Sequence, residues 1–182
     1  PIGKLSRELH KVSHEIFQIP KKQLGLKKKD ANDMQNSDIY FAKILRYASK
    51  LLNLKGTALY FLPHSVAPLK LANLQGPALV IGKDHSLCRN PSQNREAQFQ
   101  VGRILAYQRS EMFLGYFYAG EKFRDLLLGL CVAFKPDLPH GGHPGDVNGW
   151  ADRFRQLPSV ALKRLQPLVN PAYQDLVRGE AL

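Results

Sequence analysis

The sequence predicts an α+β fold, mostly helical, with a small sheet of three or four strands. Three observations predict it. Apolar residues recur at helical spacing over most of the chain, three short strand-like runs cluster between residues 57 and 83, and Pro- and Gly-rich segments punctuate them. A chain of 182 residues, 44% of them hydrophobic, can bury a proper core and is sized for one domain, or one domain with an extension.

The elements follow in order. IGKLSRELHKVSHEIFQI (2–19) spaces Leu5, Leu9, Val12, Ile16 and Ile19 as a helix, which Pro20 and a lysine run break. The polar stretch 27–38 reads as a loop closing on a helix cap at Ser37 or Asp38. A helix over 39–54 then places Phe41, Ile44, Leu45, Ala48, Leu51 and Leu52 on one face, and Gly56 ends the segment. TALYFLP (57–63), LKLANL (69–74) and PALVIGK (77–83) read as strands of a small antiparallel or mixed sheet. After a loop over 84–93 comes the helix REAQFQVGRILAYQR (95–109), then an apolar stretch over 110–134 with a bend expected at Gly115 or Gly120. KPDLPHGGHPGDVNG (135–149) is punctuated as a loop. Helical spacing resumes over 150–169 with Pro158 suited to the first turn of a second helix, and a further helix can begin in 170–182.

The chain carries 26 Lys and Arg against 15 Asp and Glu, a net charge of +11, which favours acidic partners. Its densest basic run holds Lys21, Lys22, Lys27, Lys28 and Lys29. No aromatic residue interleaves with them, so a solvated basic linker is expected there and nucleic-acid binding is the alternative. The two cysteines, Cys88 and Cys131, lack metal or redox spacing and suit a reducing compartment, so a cytoplasmic location is expected. No apolar run is long enough for a transmembrane segment and no signal peptide is visible. Opening at Pro1 without Met suggests a processed chain or a piece of a longer one.

Histidines are the natural place to look for metal. His10 and His14 stand four apart on a helix, and HEIFQ (14–18) begins like a metalloprotease box but has Gln18 where the second His belongs. HGGHPGD (140–146) gathers His140, His143 and Asp146 on a Gly-rich loop, which lacks the scaffold a tetrahedral site needs. On the helix over 95–109, Phe99, Arg103 and Tyr107 share one face. Gly102 costs that helix about 1 kcal/mol against Ala, so a close approach to its backbone is expected. The plain account of the face is that Arg103 pairs with a carboxylate and Tyr107 carries its hydroxyl to the surface.

The order LLNLKGTALYF (51–61), GPALVIG (76–82), EAQFQVGRILAYQ (96–108) resembles the zinc metallopeptidases of the gluzincin type, in their prenyl-protein-protease and heat-shock membrane-protease branch. Glu96, Val101, Gly102, Leu105 and Ala106 match the pattern of the family's zinc-binding helix, and the likeness spans about residues 39 to 110. It implies a sheet packed on this central helix. Where the family has its first zinc-binding His, this chain has Arg103; Ile104 replaces the general-base Glu, and Tyr107 the second His. A guanidinium has no lone pair for zinc and an Ile takes no proton from water. EKFRD (121–125) echoes the Glu-x-x-x-Asp third-ligand motif, at a short interval from Tyr107.

The resemblance thus implies a degenerate, non-catalytic relative without zinc or other cofactor, of a kind appended to tetratricopeptide-type repeats in large bacterial proteins. It would be a binding or scaffolding module for a protein partner or other domains of a parent chain. Residues 1–36 would be an N-terminal helix and basic linker, 37–135 the metallopeptidase-like core, 136–149 a Pro/Gly-rich loop, and 150–182 a helical segment packing on the core. Arg103, Ile104, Tyr107, Arg109 and Glu111 would line the former cleft, with Glu111, Glu121 or Asp125 as ion-pair partners for Arg103. The alternative enzyme is a metal-dependent hydrolase using His140, His143 and Asp146, or His10 and His14.

Overall fold

The computed structural model describes residues 1–89 and 94–178, with the side chains of residues 13–15 and 94 left out of the description. The fold is α+β, and the chain divides into two compact units: residues 17–109, and residues 1–16 together with 110–182. That division crosses the span 37–135 expected as one core. Among the described residues no helix is long and apolar enough to cross a membrane.

The first unit holds the sheet. Strand β1 (Ala31–Asn32) pairs antiparallel with β2 (Ala58–Leu62), β2 pairs parallel with β4 (Pro77–Gly82), and β3 (Lys70–Asn73) lies antiparallel on the far side of β4. The order is β1-β2-β4-β3, so the sheet is mixed. Side chains alternate across it. Tyr60, Ala72, Ala78 and Val80 share one face and cluster with Leu26 and Leu74. Leu59, Phe61, Leu71, Leu79 and Ile81 occupy the other and are just as buried, which is why the strands read as unbroken apolar runs. The segment leaving β2 crosses tightly over the end of β4. There Gly82 donates to the Ala67 carbonyl at 2.9 Å, and a Cβ on Gly82 would stand 2.2 Å from the Ser65 carbonyl oxygen.

Strand β1 lies inside the stretch expected to be loop. Two residues carry no periodic signal; what makes them a strand is the free edge of β2. The basic run around them forms 3-10 turns at Lys21–Leu24 and Lys28–Asp30. Helix α2 (Tyr40–Leu51) starts after Ile39, and neither Ser37 nor Asp38 caps it. The Ser37 hydroxyl instead accepts from the Ile39 N–H at 3.3 Å, closing a local turn. The helix stops at Leu51 because Asn53 takes a left-handed conformation, φ 52°. Its buried stripe is Phe41, Ala42, Ile44, Leu45 and Ser49, rotated from the one expected, so Leu51 is 68% exposed. A short helix α3 (Ser86–Arg89) precedes α4 (Asn94–Ala106), which packs on α2.

Among the described residues the second unit's elements are helices: α1 (Ile2–Ile16), α5 (Phe113–Phe117), α6 (Glu121–Phe134), α7 (Pro144–Arg155) and α8 (Ser159–Arg178). The bend expected in 110–134 falls at Gly120, φ 58°. Two expectations fail here. Helix α7 begins at Pro144, inside the segment read as loop: Pro144 sits in its first turn, and Val147, Ala151 and Phe154 are buried despite the glycines around them. Helix α8 then runs on past residue 169 through Pro167 and Pro171. Both prolines lie on its exposed face, while Ala161, Leu165, Val169, Ala172 and Leu176 bury the other in contacts with α1 and α6. Helices α6 and α7 cross so closely at Gly129 that a Cβ there would lie 2.4 Å from that of Trp150.

Candidate functional site

Helix α4 keeps its unusual pair outside the core. Its buried stripe is Ala97, Val101, Ile104 and Leu105; two residues beyond its end, buried Gln108 accepts from the Thr57 hydroxyl at 2.7 Å through its side-chain oxygen, while its Nε2 has no partner among the described residues. Ile104 is thus a packing residue. Arg103 is exposed and donates to Gln100 Oε1 at 2.8 Å, and Gln100 Nε2 donates to Glu96 Oε1 at 2.6 Å. This polar ladder runs along the helix surface, and the acceptor for Arg103 is an amide. Tyr107 is half-buried just past the helix end, and Arg109 is exposed.

The carboxylates expected to face Arg103 have neighbours in their own unit. Glu111 lies 4.0 Å from Arg7, and its backbone carbonyl accepts from Ser6 Oγ at 2.9 Å. Glu121 is exposed at the start of α6, and Asp125 is bonded to His143.

Between α2 and α4 lies a groove of about 680 Å³, walled by Lys43, Ile44, Tyr47 and Leu51 on one side and by Gln98 and Gly102 on the other. Nothing approaches Gly102 within 4 Å of where a Cβ would stand. The missing side chain therefore keeps this groove open rather than admitting a neighbouring backbone. Tyr47 and Leu51 are about two-thirds exposed, as is Phe99, the residue after Gln98.

On the other side of α2 is a polar cleft of about 480 Å³, lined among others by Asn32, Asp33, Arg46, Ser49, Lys50 and Lys55. Ser49 is 4% exposed, and among the described residues neither its hydroxyl nor the buried Asn32 Oδ1 has a hydrogen-bond partner.

In the helical unit, His143 Nδ1 lies 2.9 Å from Asp125 Oδ2, and the His143 backbone N–H donates to Oδ1 at 3.3 Å. Gly142 allows the contact, since a Cβ there would stand 2.4 Å from Oδ1. The hydrogen bond from Asp125, then its charge and that of Glu121, raise the pKa of the His143 imidazole. Asp146, in the first turn of α7, brings a third ligand atom, all three lying within 4.8 Å of one another. His140 is outside this group, its Nδ1 enclosed without a hydrogen-bond partner. His10 packs edge-on against Phe113 at 4.4 Å, and burial lowers its pKa; the side chain of His14 lies outside the described residues. Cys88 and Cys131 are free thiols that burial pushes up to about 11 and about 12, so neither is an activated nucleophile at neutral pH.

In the basic run, Lys21 lies over the Tyr60 ring at 5.1 Å, while Lys22, Lys27, Lys28 and Lys29 are exposed. Sequence reasoning overlooked Ser49 and the bond between Asp125 and His143. Each left a trace: a hydroxyl four residues beyond Leu45 on the apolar stripe of α2, and a carboxylate inside the apolar run of α6.

Comparison of the chain with protein-family models, curated proteins and solved structures finds no match.

Proposed function

We propose that the chain is a non-catalytic, pseudopeptidase-like binding module of a larger bacterial protein, whose α2–α4 groove holds an acidic amphipathic helix of a partner protein. The observation that carries this is the groove: the exposed apolar side chains of Tyr47 and Leu51 on the α2 wall, facing an α4 wall kept open by Gly102. Charge sets the chemistry of the occupant. Lys43 is the charged residue in the groove wall, and α4 adds Arg95 and Arg103 against Glu96. An amphipathic helix docks such a groove through apolar anchors at i, i+3 or i+4 and i+7, and flanking acids steer it. The pseudopeptidase reading rests on the sequence resemblance, which sets Arg103, Ile104 and Tyr107 against the family's zinc ligands and base, and is supported by the order α2, β2, β3, β4, α3, α4.

Fluorescence polarisation with a labelled acidic amphipathic peptide tests the groove. Saturable binding is expected, weakened roughly tenfold or more by Leu51→Glu and by Gly102→Leu, which fills the floor while favouring the helix. Equal binding of a basic peptide of the same apolar pattern, or no effect of Gly102→Leu with the fold intact by circular dichroism, overturns it.

A second reading, metal binding, is favoured by the convergence of Asp125, His143 and Asp146. One imidazole and two carboxylates suit Zn²⁺ or Mn²⁺. Metal analysis after chelator-free purification decides it: one equivalent of metal lost in Asp125→Asn supports this site, and its absence removes it. Nucleic-acid binding by Lys21, Lys22, Lys27, Lys28 and Lys29 would appear as a retardation that weakens steeply with salt.

A further inference from the structure

The polar cleft on the other side of α2 carries an inference independent of the groove. We propose that it binds the phosphate group of a small hydroxylated phosphomonoester, with Ser49, Arg46, Lys50 and Lys55 on the phosphate and Asn32 on a ligand hydroxyl.

Charge points to the phosphate. Arg46, Lys50 and Lys55 against Asp33 give 3 − 1 = +2 around the cleft, matching the −1.5 to −2 or so of a phosphomonoester at neutral pH. The Arg46 guanidinium is braced by the Gln35 carbonyl, so a donor is held beside the cleft before any ligand arrives. Asp33 is engaged in its own turn, accepting from the Gln35 N–H at 3.0 Å and from Asn36 Nδ2 at 2.7 Å. The last carbonyls of α2 would repel an anion if left bare. Those of Ala48, Ser49 and Lys50 are occupied by the N–H groups of Leu52, Leu54 and Asn53 respectively, which fold back over the helix end.

The unpartnered atoms point the same way. A hydroxyl that is 4% exposed, lines a cleft and bonds to nothing is rare in a folded protein. Ser49 Oγ can donate to a phosphate oxygen. The Asn32 side-chain amide oxygen, buried and equally without a partner among the described residues, needs a donor, which a fully ionised phosphate does not offer and a ligand hydroxyl does. Met34 and Leu54 supply apolar contact for a short carbon skeleton, and about 480 Å³ is room for a small molecule.

The test is a titration of the ¹⁵N-labelled chain with inorganic phosphate, glycerol 1-phosphate and glycerol, with ionic strength held constant by sodium chloride. Glycerol 1-phosphate is expected to give saturating shifts at Asn32, Ser49, Lys50 and Gly56 and to bind more tightly than inorganic phosphate, while glycerol gives none. Ser49→Ala and Lys55→Gln should each weaken binding about tenfold with the rest of the spectrum unchanged. Unsaturable shifts that spread to Lys21–Lys29 would reduce the effect to general charge and overturn the site. Equal affinity for the two phosphates overturns the monoester assignment, and unaltered binding by Ser49→Ala overturns the role of the buried hydroxyl.

Discussion

Asp125 in the helical unit and Ser49 in the sheet-bearing unit are equally hidden, 3% and 4% exposed, and opposite in how their polar atoms are used. Both oxygens of Asp125 are hydrogen-bonded to His143, one to its ring and one to its backbone, across a glycine that lets the loop reach them. The Ser49 hydroxyl lines a cleft and has no partner among the described residues. A buried polar group that is answered from within is a fastening; one left unanswered beside open space is a place for a ligand.

The largest effects are expected where backbones touch, once in each unit. Gly82→Ala places a methyl against the Ser65 carbonyl, and Gly129→Ala places one against Trp150 and the Val147 carbonyl. Neither obstacle is a flexible side-chain tip, so each substitution should cost about 3 kcal/mol in urea unfolding. Loss from Gly129→Ala alone would mean that the β4 crossover yields where the helix crossing does not.

The contrast between Asp125 and Ser49 is sharpened by removing each. Asp125→Ala strips the fastening from the His143 loop and should destabilise by about 2 kcal/mol. Ser49→Ala removes an unsatisfied hydroxyl from a helix and should be neutral or stabilise by up to about 1 kcal/mol. If Ser49→Ala destabilises as much as Asp125→Ala, the hydroxyl has a partner and the contrast fails.

Most of the fold was legible because periodicity reports it. Strands β2, β3 and β4 and helices α1, α2 and α4 lie within a few residues of where the apolar spacing puts them. What escaped depends on partners distant in sequence. Strand β1 exists only against β2, α7 holds its glycines because Val147, Ala151 and Phe154 are buried, and α8 carries two prolines because its opposite face is packed. The sites divide the same way. His143 and Asp146 were visible as a local cluster, but Asp125 joins them from 18 residues away, on another helix. Helix α4 drew notice through Arg103 and Tyr107, yet the cleft beside it is walled by Leu51, Tyr47 and the bare backbone at Gly102, which polar spacing does not reveal.

The smallest expected effect is in pH, where two histidines of the helical unit act in opposite directions. The pKa of His143 is raised in the folded state by Asp125, so its linkage stabilises fully below the ordinary value of 6.5 and is lost as pH rises through the raised value. His10 has its pKa lowered by burial, against an opposing pull from Glu111, so its contribution is complete above 6.5 and is lost as pH falls through the lowered value. Urea midpoints at pH 5.5 and pH 8 separate the two. His143→Gln should lose more stability at the lower pH, and His10→Gln more at the higher. The His143 effect will be slight, because its ring is 66% exposed and water screens the pair. A common pH trend in both variants would show that Asp125 holds the His143 loop through the backbone N–H alone. The ring would then be free for another ligand, which favours the metal reading over a simple fastening.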